Sequence, residues 1–141
     1  MSFLLDTSVI SELVRKIPHR PVLVWVGAQD EISLYISVVT IGELEKGIAR
    51  LPASARKNNL QSWVRRDLVE RFGERLLPVD VRTATRWGAL TGESEKRGQP
   101  LPVIDSLIAA TALVHGLVVV TRNVEDFRRC SVVCVNPWQE K

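Results

Sequence analysis

Short apolar runs give way to helical patterns three times along this chain, and an acid stands at or just beyond each changeover. Phe3-Leu-Leu5 ends at Asp6, with Val9, Ile10, Leu13 and Val14 following at helical spacing. Leu34-Tyr-Ile-Ser37 leads through Val38-Val-Thr40 into a helix carrying Glu43, Leu44 and Ile48. Leu117-Val-Val-Val120 is closed by Thr121-Arg-Asn123, and Val124-Glu-Asp-Phe127 can form one helical turn that includes Asp126. Strands separated by helices predict an α/β sandwich with a mostly parallel central sheet and right-handed crossovers.

A fourth acid belongs with these three. Leu101-Pro-Val-Ile-Asp-Ser-Leu-Ile-Ala-Ala-Thr-Ala-Leu113 is a helical stretch whose one charge is Asp105. A buried carboxylate without a partner costs several kcal/mol or takes up a proton, so Asp105 needs company. Strand C-termini of a parallel sheet share one edge with the N-termini of the helices that follow, and acids at those junctions converge.

The remaining elements are scaffold. Pro21 can open a short helix with Val24, Trp25 and Val26. Beyond the joint Leu51-Pro-Ala-Ser54, an amphipathic helix places Leu60, Trp63, Val64, Leu68 and Phe72 on one face, and Gly73 helps end it. Leu76-Leu-Pro-Val79 is predicted as an edge strand, because Pro78 has no N–H for a central ladder. Asp80 caps a helix carrying Ala84, Trp87 and Leu90 that frays in the polar stretch Gly92 to Gly98. His115-Gly116 is a C-terminal stop, and Val132-Val-Cys-Val135 a final strand.

Length and composition exclude several classes. A chain of 141 residues, 45% hydrophobic and 25% charged, makes one domain spanning residues 1–141, and disorder and fibrous repeats are excluded. No apolar run approaches the ~20 residues of a membrane span, and residues 1–6 lack the features of a signal peptide, so the expected location is the cytoplasm. Cys130 and Cys134 flank Ser131-Val-Val133 in a predicted strand, where they lie ~13 Å apart and do not pair. With His19 and His115 elsewhere, no zinc spacing appears. A net charge of +3 and a pI near 9.2 are compatible with a polyanionic partner without requiring one.

Four converging carboxylates repel one another unless a divalent cation compensates them, and an all-oxygen set suits Mg²⁺ or Mn²⁺. Without a Ser-His-Asp set or a Cys-His pair, that combination points to hydrolysis at phosphate. Each acid also has a structural role open to it. Asp6 can cap the first helix, Thr40-Ile-Gly-Glu43 has the form of a capping box, Asp105 suits a first helical turn, and Asn123 to Asp126 can be a cap with a first-turn acid. Their joint occurrence favours the metal site. An aspartate-nucleophile phosphatase needs a second Asp where Ser8 stands, a receiver domain needs an acidic pair near Asp6, and no Gly-rich turn for a dinucleotide follows the first strand.

Leu4 to Glu12, Ser37 to Gly47, Asp105 to Thr111, Val120 to Phe127 and the terminal Asn136-Pro-Trp138 together resemble the PIN-domain ribonucleases, specifically the VapC/FitB-like toxins of prokaryotic toxin–antitoxin pairs. The resemblance implies a PIN-domain-like three-layer sandwich, with Asp6, Glu43, Asp105 and Asp126 as metal-binding and catalytic acids and Asn123 in support. On this resemblance Asp6 and Asp105 are expected to bind the main Mg²⁺ or Mn²⁺, Glu43 and Asp126 to complete the shell or hold a second ion, and Thr7 and Thr121 to donate hydrogen bonds to the carboxylates. It further implies an RNA substrate, a homodimer, a VapB-like antitoxin covering the pocket, and contact with operator DNA only through that antitoxin. The alternative is a catalytically degenerate PIN fold that binds RNA or protein.

Overall fold

Alternation along the strands builds the layers. In the computed structural model, which describes residues 1–139, five strands form one sheet in the order β3-β2-β1-β4-β5: β1 (Phe3–Leu5), β2 (Leu34–Ser37), β3 (Leu76–Leu77), β4 (Val118–Val120) and β5 (Cys134–Val135). Every pairing is parallel, and central β1 sets Phe3 beside both Leu34 and Val118. Successive side chains point to opposite faces. Phe3, Leu5, Leu34, Ile36 and Val120 accordingly join one buried cluster, whereas Leu4 and Val119 join another.

Helices cover both faces. Beneath the first cluster lie α1 (Thr7–Glu12), α2 (Arg20–Gly27), α3 (Val38–Ala49), and a helical stretch made of α4 (Ala55–Ser62), a π-turn (Trp63–Leu68) and α5 (Val69–Phe72). Over the second lie α6 (Val81–Lys96), α7 (Val103–His115) and α8 (Val124–Arg128). Ala109 and Ala112 of α7 are fully buried, so this helix sits close on the sheet with Asp105 in its first turn. Gly116 ends α7 in the left-handed conformation, φ 65°, as the His115-Gly116 pair predicts.

Several boundaries differ from expectation, each for a local reason. Pairing of β3 stops at Leu77 because Pro78 follows. The last strand is Cys134–Val135 rather than residues 132–135: Ser131 turns the chain with φ 62°, and Val132 packs into the second cluster. Cys130 therefore follows α8 instead of sharing a strand with Cys134, and both thiols are free. Helix α6 does not fray at Gly92 but continues to Lys96, held by buried Ser94, and Thr83 rather than Ala84 faces inward. The π-turn keeps Val64, Leu68 and Phe72 on one buried face despite their even spacing of four.

Candidate active site

Strand ends bring the acids together. Asp6 follows β1, its amide bonded to the Val120 carbonyl at 2.9 Å, and its side chain is 2% exposed. One oxygen, Oδ1, accepts from the Thr7 amide at 2.8 Å, so Asp6 does cap α1. The other, Oδ2, accepts from Thr121 Oγ1 at 2.8 Å and Ser8 Oγ at 3.1 Å. Burial pushes the Asp6 carboxyl above its ordinary value, against the downward pull of Thr121, Thr7 and Ser8. Capping and participation in the site are thus compatible for this residue.

Glu43 corrects one structural expectation. The N-cap of α3 is Ser37, whose hydroxyl accepts from the Val39 amide, so Thr40-Ile-Gly-Glu43 is not a capping box at the helix start. Thr40 and Glu43 instead share one face of the helix three residues apart. Thr7 Oγ1 donates to Glu43 Oε1 at 2.6 Å and lies 3.2 Å from Thr40 Oγ1. The short distance is that of a hydroxyl bonded to a carboxylate.

Asp105 is where the charges meet. Burial comes first in raising its carboxyl to about 6, followed by the negative charges of Asp6, Asp126 and Glu43 and a side-chain hydrogen bond with Asp126. One side chain from α7 therefore feels β1, α3 and α8 together. Asp126 is half-buried, with Arg129 at 3.7 Å. Asn123 is exposed and its side chain makes no cap bond to α8; its amide donates to Thr121 Oγ1 at 2.9 Å. Thr121 thereby ties the loop before α8 to Asp6.

The chemistry of this set is that of hard-cation ligands: carboxylates, with neutral hydroxyls holding two of them in place. Among the described residues, no three His, Cys, Asp or Glu side chains stand close enough to clasp an ion as they are placed. Burial and the charges of Asp6, Asp126 and Glu43 nonetheless all push the Asp105 carboxyl upward. Adding positive charge there is favoured by the same electrostatics that raises the Asp105 carboxyl.

Two contributors escape a search for charged motifs, and one buried acid misleads it. Thr40 and Ser8 are ordinary small polar residues, although the three-residue spacing of Thr40 and Glu43 already puts them on one helix face. Glu12 is an acid, 4% exposed, that belongs to the scaffold: Oε1 accepts from the His19 amide at 2.6 Å and Oε2 from Arg15 at 3.2 Å. Nothing in its spacing separates it from a surface acid of α1.

The fold is a parallel α/β sandwich with acids at the carboxyl edge of its sheet, and comparison with known proteins narrows the class. Residues 3–132 match the model of the PIN domain. The chain is 36% identical to VapC ribonuclease Y4jK of Sinorhizobium fredii over 96% of both chains, and 34% identical to toxin FitB of Neisseria gonorrhoeae over 97% of this chain and 99% of that one. The solved FitAcB structure from Neisseria gonorrhoeae superposes with a TM-score of 0.91 at 33% identity, covering 98% of this chain and 99% of that chain. FitAB bound to an IR36 DNA fragment gives 0.90 at 32% identity, covering 99% and 97%. The protein belongs to the PIN-domain family and, within it, to the VapC/FitB-like group.

Proposed function

We propose that this protein is a ribonuclease toxin that hydrolyses RNA phosphodiester bonds at the carboxyl edge of the sheet, with a Mg²⁺ or Mn²⁺ ion held by Asp6, Glu43, Asp105 and Asp126. The observation that carries the proposal is the sheet edge itself, where Thr121 and Ser8 hold Asp6, Thr7 holds Glu43, and Asp105 is raised to about 6 by burial and by the neighbouring acids. Ribonuclease- and toxin-named relatives matching nearly the full length support it. When bound, a hard divalent cation supplies charge neutralisation at phosphorus and lowers the pKa of water.

The chain's own groups prepare that chemistry. Thr121 and Ser8 fix the second oxygen of Asp6, and the Thr7 amide fixes the first. Thr7 Oγ1 holds Glu43, so one hydroxyl ties α1 to α3 and another, on Thr121, ties the end of β4 to the end of β1. Asp126 stands across from Asp105 and completes the set, with Asn123 at the rim in support.

A VapB-like antitoxin restrains the enzyme, as the solved FitAB and FitAcB assemblies suggest by similarity. The proposal includes a homodimer of this chain, and operator DNA reached only through the antitoxin. Among the described residues no helix is long and apolar enough to cross a membrane.

The test is cleavage of total cellular RNA by antitoxin-free protein in Mg²⁺ or Mn²⁺, beside a chelated control and Asp105→Asn. Fragments that appear only for wild type with the cation are expected. Folded wild type and variant equally inert on every RNA would replace the enzyme with a binding domain.

A further inference from the structure

The terminal Asn136-Pro-Trp138 has no role among the four acids, yet it is built into the same edge of the sheet. Asn136 Oδ1 accepts from the Trp138 amide at 2.9 Å, and the half-buried indole packs against the first core cluster. The Arg122 guanidinium lies over that ring, 5.5 Å from its centre. Arg122 directly follows Thr121, the residue that donates to Asp6, and its own amide points to Ser8 Oγ at 3.4 Å. This cation is held one residue from the site by an aromatic face.

Its neighbours are differently engaged. Arg128 pairs with Glu125 at 3.1 Å and Arg129 with Asp126 at 3.7 Å, whereas Arg122 has no carboxylate partner among the described residues. Four acids stand nearby, but Arg122 does not turn in to neutralise them. It lines a cleft of about 580 Å³ with Asn123, Glu125, Asp126, Arg128 and Asn136, which meets the acidic set at Asp126. That volume is within the ~300–1,000 Å³ of typical ligand sites.

A guanidinium held over an aromatic ring makes that contact without using its N–H donors, and those donors match two oxygens of a phosphate. A planar cation fixed in this way loses less freedom on binding than a loose surface arginine. An acidic site that cuts a polyanion also repels it, so a cation set just outside is needed to hold the strand.

We propose that Arg122 binds a backbone phosphate of the RNA strand next to the bond being cut, and that Trp138, fixed by Asn136, is the positioning residue for its guanidinium. The inference rests on the ribonuclease reading, and the experiment separates the two. Binding of a short fluorescein-labelled single-stranded RNA of mixed sequence is measured by anisotropy in the cleavage-dead Asp105→Asn protein. Arg122→Ala should weaken binding about tenfold, the scale of one charge-assisted contact. It should also reduce the slope of log affinity against log salt by about 0.7. Trp138→Leu should cost about threefold and add little once Arg122 is Ala, while Trp138→Phe, which keeps a ring under the guanidinium, should restore most of the loss.

In the otherwise wild-type enzyme, Arg122→Ala should raise KM with little change in kcat. Replacing one charged phosphate at a time by a neutral methylphosphonate should identify a position, next to the cut, where wild type is weakened and Arg122→Ala is not. If wild type cuts RNA and Arg122→Ala matches it in KM, salt slope and methylphosphonate response, the inference is overturned while the ribonuclease stands. An Arg122→Ala protein that keeps RNA binding but loses the antitoxin would also overturn it, placing Arg122 in a protein interface. Inert wild type alongside intact, Arg122-dependent RNA binding would overturn the ribonuclease reading and uphold the phosphate contact.

Discussion

Asp105 and Glu31 are both acids on a well-ordered scaffold, and their surroundings are opposite. Glu31 receives Arg71 at 2.9 Å and Arg75 at 3.0 Å, and the Arg71 hydrogen bond leads the groups holding its carboxyl below the ordinary range. Glu12 follows the same pattern: burial acts upward on it, but the His19 amide and Arg15 prevail, and it is lowered. Asp105 is raised to about 6, with three acids and no arginine among the groups that act on it most. Where this chain uses an acid to hold its fold, it supplies donors that favour the charge. At the sheet edge it gathers acids that oppose one another, at a cost to stability that a cation would offset.

Replacing Asp105 should break the site while sparing the scaffold. Asp105→Asn keeps the shape and removes the charge, and RNA cleavage in Mg²⁺ or Mn²⁺ should fall by about a thousandfold or more, the scale of several kcal/mol of lost transition-state stabilisation. Near-normal turnover by the folded variant, measured on labelled RNA, would make Asp105 another structural acid.

Arg75→Ala should do the reverse. This arginine donates to the Glu31 and Leu34 carbonyls, to the Arg71 carbonyl and to the Glu31 carboxylate, with its side chain only 18% exposed. Urea unfolding should show a loss of about 2–3 kcal/mol, and the folded fraction should cut RNA normally. If cleavage disappeared without loss of stability, the division between the two kinds of acid would fail.

Thr121→Val tests the link between them at the site itself. Removing the hydroxyl that holds Asp6 should lower activity roughly 10–100-fold at fixed cation, with the loss concentrated at low cation concentration. A uniform loss at every concentration would assign Thr121 to folding instead.

The smallest expected effect is on stability without a cation. Because the folded value of Asp105 lies above its ordinary 3.8, the native state binds a proton between about pH 4 and 6 that the unfolded chain does not. This contribution is full below about pH 4 and is lost as pH rises through about 6. Glu31 and Glu12 have lowered values, so theirs is present above the ordinary carboxyl range and lost as pH falls through their folded values. Cation-free wild type should gain about 1 kcal/mol between pH 7.5 and 5, a figure discounted for solvent screening, and Asp105→Asn should remove that gain. Chemical unfolding at the two pH values measures it.

Much of the candidate site's placement is legible in the sequence because strand ends in a parallel sheet share an edge. Asp6, Glu43 and Asp105 can be placed from apolar runs and helix starts alone. What separates structural from functional acids is less legible. Thr40-Ile-Gly-Glu43 has the letters of a capping box, and only the position of Ser37 at the true helix start shows that it is not one. Glu12 and Glu31 find their donors across turns and between elements, with Arg71 lying 40 residues from Glu31. The start of β5 and the π-turn escaped as well, since Ser131 adopts a positive φ without glycine and an i, i+4 spacing does not reveal which helical turn it occupies.

The most direct measurement is the thermal midpoint of wild type and Asp105→Asn at pH 7.5, with and without saturating Mn²⁺. If the four acids form a cation site, wild type should rise by several degrees, roughly the effect of a ligand at about 100 times its Kd, while Asp105→Asn should start higher and move little. Equal shifts in both proteins, or none in either, would contradict the claim that these carboxylates are gathered to hold an ion.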